Sequence, residues 1–236
     1  MENTGEILAR MDEETAVSTL RNLASACFAN AQSLSDDAIP LLNEGRVRGA
    51  YALAVIGIEE FAKAVLHTVA ALRPAERGML GAEVRSHEVK HLIAANAEYA
   101  QIEVAEGWLV AEQESGMRVP QRARLEDLVG NLLKRGVAGL LQEPKQAKAF
   151  YAELRQKFSD HLVEPDFKNV AFYADLLPTG EVVTPERVLK EMASPVSSLE
   201  WFVEVYKGLD EVLRDDTWWE RFVRGVRREP QESVAA

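Results

Sequence analysis

The chain has 236 residues, 47% hydrophobic and 28% charged, with a formal net charge of −11 at pH 7. That length allows one sizeable core or two small ones, and the charge excludes a protein-wide nucleic-acid footprint, so a polyanion must be met by a local basic patch. Cys27 is the only cysteine, which excludes an internal disulfide or a thiolate cluster and reads as core packing in a reducing cytoplasm.

The N-terminal stretch MENTGEILARMDEE is acidic and lacks a charged-then-apolar leader, so secretion is not expected. From Glu14 to Leu34 apolar residues recur at i, i+3, i+4, and SDDAIPLLNEG continues this helix after a cap signal at Ser35. RVRGAYALAVIGIEEFAKAVLHTVAAL forms a second long helix, stopped at Arg73-Pro74. Glu59, Glu60 and Lys63 interrupt its apolar run, so it is not expected to span a membrane. A third helix is predicted over SHEVKHLIAANAEYAQIEVAEGWLVAEQ, ended by a loop at SGMRVP. Two more follow, QRARLEDLVGNLLKRGVAGLLQ and PKQAKAFYAELRQKFSDHLV, divided at Glu143-Pro144. EPDFKNVAFYADLLPTGEVVTP is irregular to briefly extended, with a turn at Pro178-Thr179-Gly180. TPERVLKEMASPVSSLEWFVEVYKGLDEVL reads as one helix with Thr184 as N-cap and Pro185 in first position. DTWWERFVRGVRRE is the last helix. No repeat, linker or strand alternation is present, and the fold class is all-α.

The second helix is apolar on almost every side, as a central bundle helix should be. Its polar residues fall in one stripe: Glu59, Lys63, His67 and Glu60 lie at about 0°, 40°, 80° and 100° around the axis. Two readings stay open. The stripe is either an exposed edge with a Glu59–Lys63 i,i+4 pair, or a polar strip lining an interior cleft or a subunit contact.

The stretch LLNEGRVRGAYALAVIGIEEFAKAVL resembles the signature of the AbiV family of abortive-infection proteins. The matching residues are Gly45, Arg46, Ala50, Ala52, Leu53, Ala54, Glu59, Glu60, Lys63 and Ala64, with Ala62 where the family usually carries glycine. SHEVKH is similar to the family's His-x-x-Lys element through His87 and Lys90. Tyr173, Asp175 and Pro185 fit a later segment. The resemblance covers residues from about 15 to 195. It implies a HEPN-like helical bundle, and many members of that superfamily are metal-independent ribonucleases or nucleotide-binding modules that act as dimers. The expected organisation is a single domain over 1–236, with a HEPN-like core at about 14–165 and the remainder, 166–236, packed on it through additional C-terminal helices.

The segment RSHEVKH, Arg85 to His91, supports three chemistries. As a zinc helix, His87 and His91 at i and i+4 would share one metal, Glu88 would act as base, and Glu112 or Glu114 would be the third ligand. Lys90 and Arg85 place cations beside that site and no supporting strand is predicted, so no metal and no metallopeptidase activity are expected. In the second reading, Arg85 and His91 spell the arginine–histidine spacing of the HEPN nuclease motif. Ser86 is positioned as N-cap and Glu88 lies in the first turn. A neutral imidazole can take the proton of a ribose 2′-OH, while a guanidinium binds the phosphate bidentately and stabilises its growing charge. In the third, His87, Lys90 and His91 are a polar helix start bonded to Glu59 or Glu60 of the preceding helix.

Elsewhere, Arg221, Arg224 and Arg228 beside Trp218, Trp219 and Phe222 could stack and clamp RNA, although a terminal helix docked through its tryptophans explains the same pattern. His161 has no evident partner, and Cys27 has no histidine near it in sequence. The functional expectation is an antiphage, cytoplasmic, homodimeric protein, a HEPN-type metal-independent endoribonuclease or translation-arresting toxin with no cofactor. Arg85 and His91 are its candidate catalytic pair; Arg46, Glu59, Glu60, Lys63, His87 and Lys90 are supporting or binding residues. The alternative is a non-catalytic helical binding module that senses a phage protein or blocks translation by contact.

Overall fold

The computed structural model describes residues 4–72, 77, 89–90, 93–94, 97, 107–120, 123–125, 127–128, 175–176, 182–183, 195–207, 209–217, 219–221 and 224. A short helix α1 (Thr4–Leu8) precedes α2 (Glu13–Asn43). Asp12 starts α2: its carboxylate accepts the Thr15 N–H at 2.8 Å and the Thr15 hydroxyl at 2.7 Å, satisfying a backbone donor that the first turn leaves open. Ser35 does not interrupt the helix. It is buried among a stripe of Ala16, Leu20, Ala24, Phe28, Ala31 and Ala38, and packing of that stripe carries the chain through a residue that would otherwise favour a cap.

α2 ends in a glycine corner. Gly45 takes φ 75°, its N–H bonds the Leu42 carbonyl at 3.0 Å, and the Arg46 N–H bonds that of Leu41 at 2.8 Å. This paired closure needs a left-handed residue between the two donors, which glycine adopts without a Cβ penalty. The chain therefore reverses, and α3 (Val47–Leu72) runs back along α2. At the far end Arg77 clamps the two helices, donating to the Ala70 carbonyl at 3.2 Å and bidentately to Glu13 at 2.6 and 2.9 Å.

α3 is the central element, buried on nearly every side. Its buried side chains mix small residues such as Ala50, Ala54 and Ala62 with the larger Val55, Ile58, Phe61 and Leu66. Helical backbone at Val89–Lys90, Ile93–Ala94 and Ala97 agrees with the predicted third helix, and Ile93, Ala94 and Ala97 join the same core. Residues 107–115 are helical and 116–120 form the expected loop.

The stretch predicted as one helix up to Leu213 is divided. α4 (Pro195–Val205) stops at Tyr206-Lys207 and α5 (Leu209–Arg214) follows; Thr184 and Pro185 lie outside the described residues. The break lets both helices face the core. Leu199 lies against Gly57, where a Cβ would come within 2.4 Å of a Leu199 methyl. Phe202 stacks on Phe61 with ring centroids 4.6 Å apart, and Tyr206 meets Phe61 edge-on at 4.8 Å. α5 is held on α2 by Arg214 to Ser25 at 3.0 Å and Arg21 to the Leu213 carbonyl at 2.5 Å. The described helical residues 216–217, 219–221 and 224 follow, with buried Trp219 docked and the Arg21 guanidinium over its ring at 5.1 Å. Arg221 and Arg224 remain exposed, and Trp218, Phe222 and Arg228 lie outside the described side chains.

Two two-residue strands, Asp175–Leu176 and Val182–Val183, pair antiparallel with Asp175 opposite Val183. They bracket the predicted turn at Pro178–Gly180. The architecture is all-α, and among the described residues no helix is long and apolar enough to cross a membrane.

Candidate functional site

The polar stripe of α3 is not an exposed edge. Glu59 and His67 are buried, at 6% and 4% exposure, and Lys90 of the following helical stretch is buried at 4%. The expected Glu59–Lys63 pair does not form. Glu59 accepts instead from the Lys90 ammonium at 2.7 Å, and Lys63 pairs with Glu60, one turn back on its own helix. The reason is angular. Glu59 and Glu60 are about 100° apart on the helix, so the first faces the third helix and the second faces α2. Lys63 and Lys90 each neutralise the carboxylate on their own side.

The α2 side of the stripe holds Cys27, Glu60, Lys63 and His67. Burial, reinforced by the Glu60 carboxylate and opposed by Lys63, pushes the Cys27 thiol up to about 12, so it is protonated at neutral pH and a poor nucleophile. Burial, then the charge of Lys63, hold His67 down to about 4 against a smaller opposing effect of Glu60. The imidazole is therefore neutral, and its Nδ1 is buried with no hydrogen-bond partner among the described residues. Both residues lie beside the Glu60–Lys63 ion pair in the interior between α2 and α3.

Arg46 is set apart from this cluster. Its side chain is 69% exposed and lies 3.7 Å from Glu44, about 20 Å along α3 from Glu59 at 1.5 Å per residue. Its backbone N–H, in the corner described above, is the part the fold uses. Arg85, His87 and His91 lie outside the described residues. Of the third reading of RSHEVKH, the Lys90–Glu59 bond is present. Of the zinc reading, Glu112 is engaged elsewhere: it accepts the Val119 N–H at 2.9 Å and pairs with Arg124, while Glu114 is exposed. Among the described residues no group of three His, Cys, Asp or Glu is placed to hold a metal ion.

A family model, HEPN_AbiV, described as AbiV, matches residues 19–195. The chain belongs to the AbiV family. It is thus an abortive-infection protein of the HEPN type. Neither the curated proteins nor the solved structures gave a match. The matched segment takes in α2 from Thr19, the Gly45 corner and all of α3, and ends where α4 begins. Two of the AbiV-like sequence blocks, Glu-Glu-x-x-Lys and His-x-x-Lys, meet in space through Glu59 and Lys90. The third reading of RSHEVKH offered Lys90 to either Glu59 or Glu60, and the structure selects Glu59 across 31 positions. Cys27, read from the sequence as core packing, is half-buried beside Glu60 and Lys63; its contact with Glu60 was not legible in the sequence.

Proposed function

We propose that this AbiV protein is a cytoplasmic antiphage endoribonuclease that cleaves RNA without a metal, as a homodimer, using Arg85 and His91. The observation that carries this reading is the buried Glu59–Lys90 pair. It ties the residue immediately before His91 to the central helix with both charges out of solvent, at 2.7 Å. A reacting group gains from neighbours that are locked by packing and hydrogen bonding. In the reaction the neutral imidazole of His91 removes the 2′-hydroxyl proton, the 2′-oxygen bonds to phosphorus, and the bond from phosphorus to the 5′-oxygen breaks. The Arg85 guanidinium neutralises the equatorial charge, and a partner imidazolium returns a proton to the leaving 5′-oxygen. The products are a 2′,3′-cyclic phosphate and a 5′-hydroxyl.

The test is incubation of the purified chain with total RNA in EDTA, with and without phage lysate. Fragments ending in 2′,3′-cyclic phosphate, lost in Arg85→Ala and His91→Ala, support the reading. Intact RNA together with phage protection that survives His91→Ala would establish the second reading, a helical module that senses a phage protein or blocks translation by contact. That reading draws on the internal pairing of Glu59, Glu60, Lys63 and Lys90, which leaves these four groups engaged within the chain.

A further inference from the structure

After α5 the chain breaks once more. Asp215 is not helical, and helical backbone resumes at Asp216, with the Asp215 carbonyl accepting the Trp219 N–H at 2.8 Å. The segments on either side of Asp215 are held to the core in different ways. α4 and α5, with the Tyr206 between them, enter it through Val196, Leu199, Phe202, Tyr206, Leu209 and Leu213, each at most 2% exposed. Of the side chains described between 216 and 224, Trp219 alone is buried. Asp216, Thr217, Glu220, Arg221 and Arg224 are exposed.

Three contacts around this break converge on one side chain of α2. The Arg21 guanidinium donates through Nε to the Leu213 carbonyl at 2.5 Å and through Nη1 to Asp216 at 2.6 Å, and it lies over the Trp219 ring at 5.1 Å. It thus satisfies a carbonyl in the last turn of α5 and holds both the carboxylate and the indole of the helix that follows. The hold is modest. Asp216 is 84% exposed, so its ion pair is screened and contributes little. The cation over the ring contributes more, because the Arg21 side chain is only 13% exposed. One indole and one guanidinium remain a small anchor beside the six buried side chains of α4, Tyr206 and α5, and a segment so anchored opens before the core does. We propose that the helix after Asp215 is a latch: it leaves α2 as one unit, pivoting at Asp215 while α2 to α5 stay packed, and Arg21 is its clasp. Closed, the guanidinium and the indole cover one another. Open, both face solvent together, so a partner that takes either one holds the latch open by population shift. The device is independent of the nuclease reading.

The experiment is amide hydrogen exchange of the full chain at neutral pH, read residue by residue. In the natural chain the amides of Trp219, Glu220, Arg221 and Arg224 should share one protection factor, at least about tenfold below that of the α4 amides from Leu199 to Val205. A terminus that merely frays would instead show protection falling steadily toward Arg224. Arg21→Met keeps the aliphatic stem and removes the clasp; it should speed exchange of those four amides at least about tenfold further and leave α3 and α4 unchanged. Asp216→Asn, whose exposed side chain leaves the core undisturbed, should move the same amides in the same direction by about threefold. Protection equal to that of α4 overturns the latch, because the helix would then open only with the core. Graded protection also overturns it, since there would be no single unit. A rise in Arg21→Met shared equally by α3 would make Arg21 a core residue, and no rise in either variant would remove it as the clasp.

Discussion

Lys90→Met removes one partner of the buried pair while keeping the length of the side chain. Glu59 then loses the cation that pairs with its carboxylate, at a site where the two side chains are 5% and 8% exposed. Separating a buried pair in this way costs about 3–5 kcal/mol, most of it the desolvation of the group left behind. A domain of ordinary stability has about 5–15 kcal/mol in total, so the variant should be folded but marginal. Glu59→Leu should cost a similar amount by stranding the ammonium. The double variant Glu59→Leu/Lys90→Met strands neither charge and should recover most of the loss, because an apolar pair of similar volume replaces an ionic one. Urea unfolding followed by circular dichroism measures all four chains. With a slope of about 2–3 kcal/mol per molar urea, each single variant should shift its midpoint down by about 1–2 M. The double-variant cycle should give a coupling of the same order as the single losses. Single losses below about 1 kcal/mol, the value of an exposed pair, would refute the reasoning: Glu59 and Lys90 would then be solvated, and the anchor beside His91 would not exist.

Three further outcomes follow from the same packing. His67 is held down to about 4 in the folded chain, below the 6.5 of an exposed imidazole, so it opposes unfolding fully above pH 6.5 and loses this contribution as pH falls toward 4; relative to His67→Leu, the natural chain should lose on the order of 3 kcal/mol across that window, read from urea midpoints at each pH. Gly57→Ala should lower stability by about 1–3 kcal/mol in spite of alanine's better helix propensity, because its Cβ would meet fully buried Leu199 at 2.4 Å; a gain in melting temperature would show that α4 does not press on α3. Cys27, with its thiol pushed up to about 12, should resist alkylation at pH 8 in the native chain and react fully in urea, and equal rates in the two states would place it at the surface.

The helices of this fold were legible wherever one periodic stripe decided them. α2, α3 and the residues described in the third helix fall where apolar spacing puts them, and the loop after Ser115 is announced by Gly116. Local signals misled where burial outweighed them. Ser35 has the chemistry of a cap, but it lies in register with the core stripe of α2 and the helix continues. In the stretch up to Leu213 the local signals are present and the single-helix prediction passes over them: Pro195 begins α4, and Gly208 lies in sequence between α4 and α5. This division lets Phe202 and Tyr206 both close on Phe61. Tyr206 accepts a cost for this, its hydroxyl being buried without a hydrogen-bond partner among the described residues. The α3 stripe was visible as a stripe. Which way each carboxylate faced was not, since Glu59 and Glu60 find their cations on different elements.

That division of the two glutamates bears on how the nuclease reading should be tested. Glu59 and Glu60 stand together in the AbiV-like block, and loss of phage protection on replacing either invites a catalytic interpretation. Their surroundings argue otherwise: Glu59 holds Lys90 in the core, while Glu60 holds Lys63 and faces Cys27 across α2. Replacing either carboxylate removes a structural partner, so inactivity there follows from lost stability whether or not RNA is cleaved. Arg85 and His91 are different in kind, because the role proposed for them is contact with phosphate and a proton. The informative comparison is therefore between His91→Ala and Lys90→Met, adjacent in sequence. Under the nuclease reading, His91→Ala abolishes cleavage at unchanged urea midpoint, whereas Lys90→Met lowers the midpoint and, with the anchor beside His91 lost, weakens cleavage by the folded fraction without abolishing it. Were His91→Ala to unfold the chain while its folded fraction still cleaved RNA, the histidine would be structural and the assigned pair would be wrong.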